Sequence, residues 1–134
     1  MTDQIKKKIL IVDDELSVCK SIRQALLSQN YDVDMALSGE EALQKEEQGN
    51  YDVIIADLMM PGLSGLALLQ SLKAKNALAK VIMVTGYPTV KTTVQAMQIG
   101  AFDYLPKPFL PAELRLMVIR ALAAAEKERA EKPA

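Results

Sequence analysis

Three runs of this 134-residue chain, KILIV (8–12), DVIIA (52–56) and KVIMVT (80–85), are nearly continuous in apolar, β-branched side chains. Successive side chains of a strand point to opposite faces, so a run without alternation has both faces covered. Strands buried on both sides belong to a parallel sheet carrying helices above and below. Two less continuously apolar segments, YDVDMA (31–36) and FDYL (102–105), complete five predicted strands.

The stretches between them have helical spacing. Val18, Ile22, Ala25 and Leu26 fall on one helix face, as do Leu66, Leu69 and Leu72 beside Lys73. Val90, Val94 and Met97 mark a fourth helix, and Leu114, Val118, Ala121 and Ala125 a fifth. The segment from Ser38 to Gln48 is the least patterned, resting on Ala42 and Leu43. Ser38-Gly39-Glu40-Glu41 supplies a polar helix start, while Gly49 and Gly100 stand where helices should stop. Strand alternating with helix predicts a doubly wound α/β fold, (βα)5, with a parallel sheet and right-handed crossovers. No linker or repeat divides the chain, so residues 1–134 are expected to form a single domain with its core at about 7–125. The polar end EKERAEKPA (126–134) reads as a fraying helix end or the start of a linker.

Composition narrows the function. A net charge of −1 shows no basic excess, so direct nucleic-acid binding is not expected. Cys19 is the single cysteine, which forbids an intrachain disulfide, and it reads as a small buried apolar residue. The absence of histidine removes His-based zinc sites, serine–histidine and cysteine–histidine nucleophile pairs, and a self-supplied phosphohistidine. The apolar run after KKK meets Asp13 too soon for a signal peptide or membrane span, so a cytoplasmic protein away from the membrane is expected.

In a doubly wound sheet, functional side chains gather at the C-terminal strand ends, near the point where strand order reverses. The first strand ends in Asp13 and Asp14, the third in Asp57 and the fourth in Thr85-Gly86, while the fifth runs into Lys107-Pro108. Each has an ordinary alternative. The acids could cap helices or open turns, Thr85 could be a plain strand residue, and Lys107 a solvated lysine. Their coincidence on one edge argues for a site. Crowded carboxylates need a cation, and a hard, oxygen-rich site with few ligands suits Mg²⁺.

IVDDE (11–15), DLMMPGLSG (57–65), VTGYP (84–88) and YLPKPF (104–109) together resemble the receiver domain of bacterial two-component response regulators, over roughly residues 7–125. The resemblance implies a CheY-like, flavodoxin-like fold with strand order 2-1-3-4-5. It casts Asp57 as the phosphoacceptor, charged from a sensor histidine kinase or phosphotransfer protein of a phosphorelay. It implies Mg²⁺ held by Asp14, Asp57 and the Met59 carbonyl, with Asp13 acting through water. Lys107 would pair with the phosphoryl group, Lys107-Pro108 would be a cis peptide, and Pro61 and Gly65 would shape the loop after Asp57. Thr85 and Tyr104 would form the switch, signalling through the face of helix 4, strand 5 and helix 5.

By the same resemblance Met59 and Tyr87 flank the path of attacking water. Neither is an acid or amide that could orient water, so slow self-dephosphorylation is expected. Pro88 is expected to open the fourth helix and stiffen that region. Val90, Val94, Ala121 and Ala124 read first as core and second as a homodimer surface. The stretch from Val84 to Phe109 leans toward receivers of transcriptional activators or hybrid kinases.

Two other functions remain open on the residues alone. A Mg²⁺-dependent phosphatase using Asp57 needs a substrate pocket and a general acid, for which the chain has neither spare length nor histidine. An interaction module with the same fold, never phosphorylated, is the other. A receiver is not expected to be an enzyme beyond catalysing its own phosphorylation and dephosphorylation.

Overall fold

The computed structural model describes residues 6–75 and 77–131. The strands are β1 (Lys8–Val12), β2 (Asp32–Ala36), β3 (Val53–Asp57), β4 (Lys80–Thr85) and β5 (Asp103–Pro106). The helices are α1 (Leu16–Leu26), α2 (Gly39–Gly49), α3 (Gly65–Ala74), α4 (Val90–Ile99) and α5 (Pro111–Glu131), and a short 3-10 turn (Leu27–Gln29) follows α1. All strand pairs are parallel, in the order β2-β1-β3-β4-β5, as expected.

The continuous apolar runs are continuous because the sheet has two cores. Ile9, Ile11, Val53, Ile55, Ile82 and Val84 face α1 and α5, meeting Ile22, Leu26, Leu114 and Val118. The alternate residues Leu10, Val12, Ile54, Ala56, Val81 and Met83 face α2, α3 and α4, meeting Ala42, Leu68, Leu69, Leu72 and Ala96. Each fully buried Leu or Ile contributes about 1.5–3 kcal/mol of transfer free energy, so both faces drive folding.

Several local expectations need correction. The α2 helix includes Gly49 and stops at Asn50, whose φ of 50° is left-handed; asparagine tolerates that region better than most residues. Ser38 caps it, accepting the Glu41 N–H. Pro88 does not open α4: Thr89 is the N-cap and forms a reciprocal capping box with Thr92. The stripe Val90, Val94 and Met97 is not core either. Val90 is 83% exposed and the other two lie on the surface, while Ala96 is the buried residue of α4. Ala121 is core as expected, and Ala124 is half-buried. The polar end after Ala125 continues α5 as far as Glu131, and residues 132–134 lie outside the described ones. Among the described residues no helix is long and apolar enough to cross a membrane.

Candidate functional site at the carboxyl edge of the sheet

Strand order reverses between β1 and β3, and both pair side by side with Val12 opposite Ala56. The next residue on each strand is therefore an aspartate, and Asp13 and Asp57 emerge as neighbours. The ladder continues past the strand ends to hold them. Asp13 N–H donates to the Ala36 carbonyl at 3.1 Å, Leu58 N–H to Val84 at 2.9 Å and Lys107 N–H to Thr85 at 2.7 Å. These bonds tie the end of β1 to β2 and the ends of β3 and β5 to β4, while the β1–β3 pairing sets Asp13 beside Asp57.

Carboxylate oxygens of Asp13, Asp14 and Asp57 all lie within 4.8 Å of one another. Asp13 is 2% exposed, Asp57 is also buried, and Asp14 faces solvent. Lys107 reaches in from the β5–α5 loop, its Nζ 3.3 Å from Asp13 Oδ2 and 3.8 Å from Asp57 Oδ2. The local turns also use these acids: Glu15 N–H donates to Asp13 Oδ1 at 2.9 Å, and Met59 N–H to Asp57 Oδ1 at 3.2 Å. The capping alternative fails for α1, whose N-cap is Glu15 with no side-chain cap bond.

One lysine does not balance three carboxylates. Burial pushes the Asp57 carboxyl above its ordinary range, and repulsion from Asp13 and Asp14 adds to this. The Met59 N–H and the Lys107 ammonium pull the other way. The donor set is all carboxylate oxygen, the chemistry a small hard dication takes, and the three groups are close enough to share one. Cys19 packs beneath the site with its Sγ 3.5 Å from the Asp13 carbonyl. Cys19 is buried, as read from the sequence, and burial pushes its thiol up to about 11, so it stays protonated.

Thr85 is fully buried at the end of β4, and its Oγ1 accepts the Tyr87 N–H at 3.1 Å, which leaves the hydroxyl proton free to donate elsewhere. Tyr104 is half-buried, packed against the α2–α4 core with its hydroxyl 3.5 Å from Thr92 Oγ1. Thr92 was not picked out by sequence reasoning; the Thr89-x-x-Thr92 spacing at a helix start was its one signal. The side chains of Met59 and Tyr87 are both exposed, while their N–H groups donate to Asp57 and Thr85. Pro61 and Gly62 lie in the loop between β3 and α3, where Gly62 takes a φ of 72°. The Gly65 N–H closes that loop on the Leu58 carbonyl at 3.1 Å. The Lys107-Pro108 peptide is cis.

The family model described as the response regulator receiver domain matches residues 9–119. Among curated proteins, the chain is 40% identical over 111 residues to the transcriptional regulatory protein ResD of Bacillus subtilis, covering 83% of this chain and 46% of that protein. It is 36% identical over 126 residues to the transcriptional regulatory protein ZraR of Escherichia coli K12, covering 94% of this chain and 29% of that one. The chain thus spans less than half the length of either relative. Among solved structures, a CheY-like response regulator receiver domain protein from Methanospirillum hungatei JF-1 superposes with a TM-score of 0.88 at 33% identity, covering 92% of this chain and 99% of that chain. The family model spans most of the chain and the fold superposes on a solved receiver, so the chain belongs to the response regulator receiver domain family of two-component signalling.

Proposed function

We propose that this chain is a phosphorylation-controlled switch in which Asp57 accepts a phosphoryl group from a histidine kinase or phosphotransfer protein. The observation that carries the proposal is the convergence of three carboxylates and one ammonium at a single sheet edge. Asp14, Asp57 and the Met59 carbonyl would hold Mg²⁺, with Asp13 engaged through water. Bound there, the ion would offset negative charge on the transferring oxygens.

The chain's own groups do the rest. An Asp57 oxygen attacks phosphorus, the P–N bond to the donor imidazole breaks, and that nitrogen recovers a proton from water. Lys107 is poised to exchange its carboxylate partners for the new phosphoryl oxygens. The Thr85 hydroxyl, its oxygen held by the Tyr87 N–H, donates to one of them and draws the β4–α4 loop inward. Tyr104 then turns further inward, and the change is read at α4, β5 and α5. The exposed apolar side chains of α4, with Leu116 and Ile119 on α5, support contact there with a partner or a second copy. We also place this function in the cytoplasm and, by the relatives' names, in control of transcription through segments other than this domain.

The test is a phosphoryl donor. Acetyl phosphate with Mg²⁺ should add one phosphoryl mass per chain, and Asp57→Asn should abolish it. Continued turnover of donor by unmodified protein would indicate a phosphatase, and no modification an interaction module. The lifetime follows from Met59 and Tyr87, neither of which is an acid or amide that could orient the attacking water. The acyl phosphate should persist for many minutes, while Met59→Asn should shorten it about tenfold in a phosphate-release assay. A half-life of seconds in the unaltered chain would contradict this reading.

A further inference from the structure

The last turns of α5 have no apolar anchor. From Glu126 to Glu131 every side chain is exposed, and Ala130 alone is apolar. Good helix formers do not by themselves keep a terminal turn from fraying. Here ion pairs tie the turns to the N-terminal edge of the sheet, opposite Asp57. Glu126 pairs with Lys7 at 2.8 Å, Glu128 pairs with Lys80, and Arg129 Nη2 donates to Asp52 Oδ1 at 2.9 Å. Lys7 precedes β1, Asp52 precedes β3 and Lys80 begins β4, so three adjacent strands are engaged.

The Asp52 contact dominates. Exposed pairs such as Lys7–Glu126 contribute little, but Asp52 is only 9% exposed and its second oxygen already accepts the Lys8 N–H at 2.8 Å. Removing Arg129 would leave a mostly buried carboxylate without a cation, which costs far more than losing a surface pair.

We propose that residues 126–131 form an ion-pair latch that docks the end of α5 on the strand N-termini. The latch acts beyond the part of the helix that the core already holds. Helix α5 buries Leu114, Val118, Ala121, Leu122 and Ala125 before it reaches the latch.

Hydrogen exchange on the full chain, without any phosphoryl donor, tests the latch independently of phosphorylation. The amides of 126–131 should be protected, and Arg129→Gln should speed their exchange about tenfold while leaving those of 114–122 unchanged. Salt at about 0.5 M should act in the same direction. Lys7→Glu should give a smaller rise, which Lys7→Glu combined with Glu126→Lys reverses. Exchange of 126–131 at unstructured-peptide rates in the unaltered chain overturns the proposal. So does an Arg129→Gln variant with unchanged exchange, or one in which 114–122 loosen equally.

Discussion

Removing a charge from Asp57 should stabilise the magnesium-free chain and abolish its response to magnesium. Burial and two neighbouring acids disfavour the ionised Asp57 carboxylate, and Lys107 offsets them only in part. A carboxyl whose range is raised in the fold binds its proton longer there than in the unfolded chain. Its contribution is therefore favourable at acid pH and is lost as pH rises through that raised range. At neutral pH Asp57→Asn removes a net repulsion, so the apparent Tm without metal should rise by a few degrees. Magnesium does the same for the unaltered chain by supplying the missing positive charge. At a hundred times its Kd a ligand adds about 2.7 kcal/mol, which for a domain of this size is about 8–10 °C. Thermal melts with and without MgCl₂ give both numbers. Opposite signs are the signature: the variant melts higher without metal and lower with it. A magnesium shift that survives Asp57→Asn would place the ion elsewhere.

The elements that sequence reasoning located best are those whose burial is symmetric. β1, β3 and β4 are apolar at nearly every position because helices cover both faces, and their shortness and β-branched content mark them as strands. The site was legible for a related reason. Topology alone brings strand ends together, so Asp13, Asp57, Thr85 and Lys107 could be grouped without any knowledge of distance. Helix α4 was misjudged because periodicity reports that a helix has an apolar face but not what covers it. Val90, Val94 and Met97 have core spacing yet lie on the surface, and the small Ala96 does the packing. The latch was invisible for a different reason. Arg129 and Asp52 are 77 residues apart, and neither carries a local mark that it is paired. Charge pairs across a fold follow from geometry, which periodic patterns do not encode.

Gly65→Ala should be the most damaging single methyl group in the protein outside the hydrophobic cores. A Cβ at Gly65 would sit 2.2 Å from the Asp57 carbonyl oxygen and 2.8 Å from the Leu58 Cα, both of them backbone atoms that cannot rotate away. Glycine is needed there for close approach and not for φ, because α3 begins directly against the end of β3. Relief requires α3 or the Asp57–Leu58 backbone to shift, and overpacking against backbone should cost about 3 kcal/mol or more. The corresponding drop in Tm is roughly 10 °C, measurable by calorimetry. Gly86→Ala is the matched control. A Cβ at Gly86 meets nothing within 4 Å, so its effect on stability should stay within about 0.5 kcal/mol. The functional loss at Gly65 should exceed the loss of stability. A shift of the β3 end moves the carbonyl of Asp57 and the Met59 N–H that steadies its carboxylate. Even the folded fraction at low temperature should then take up phosphoryl groups more slowly than the unaltered chain. If Gly65→Ala melted within a degree of the parent and reacted at the same rate, the junction between β3 and α3 would have room for a side chain. In that case the tight closure of the loop around Asp57 would not be what positions the carboxylate.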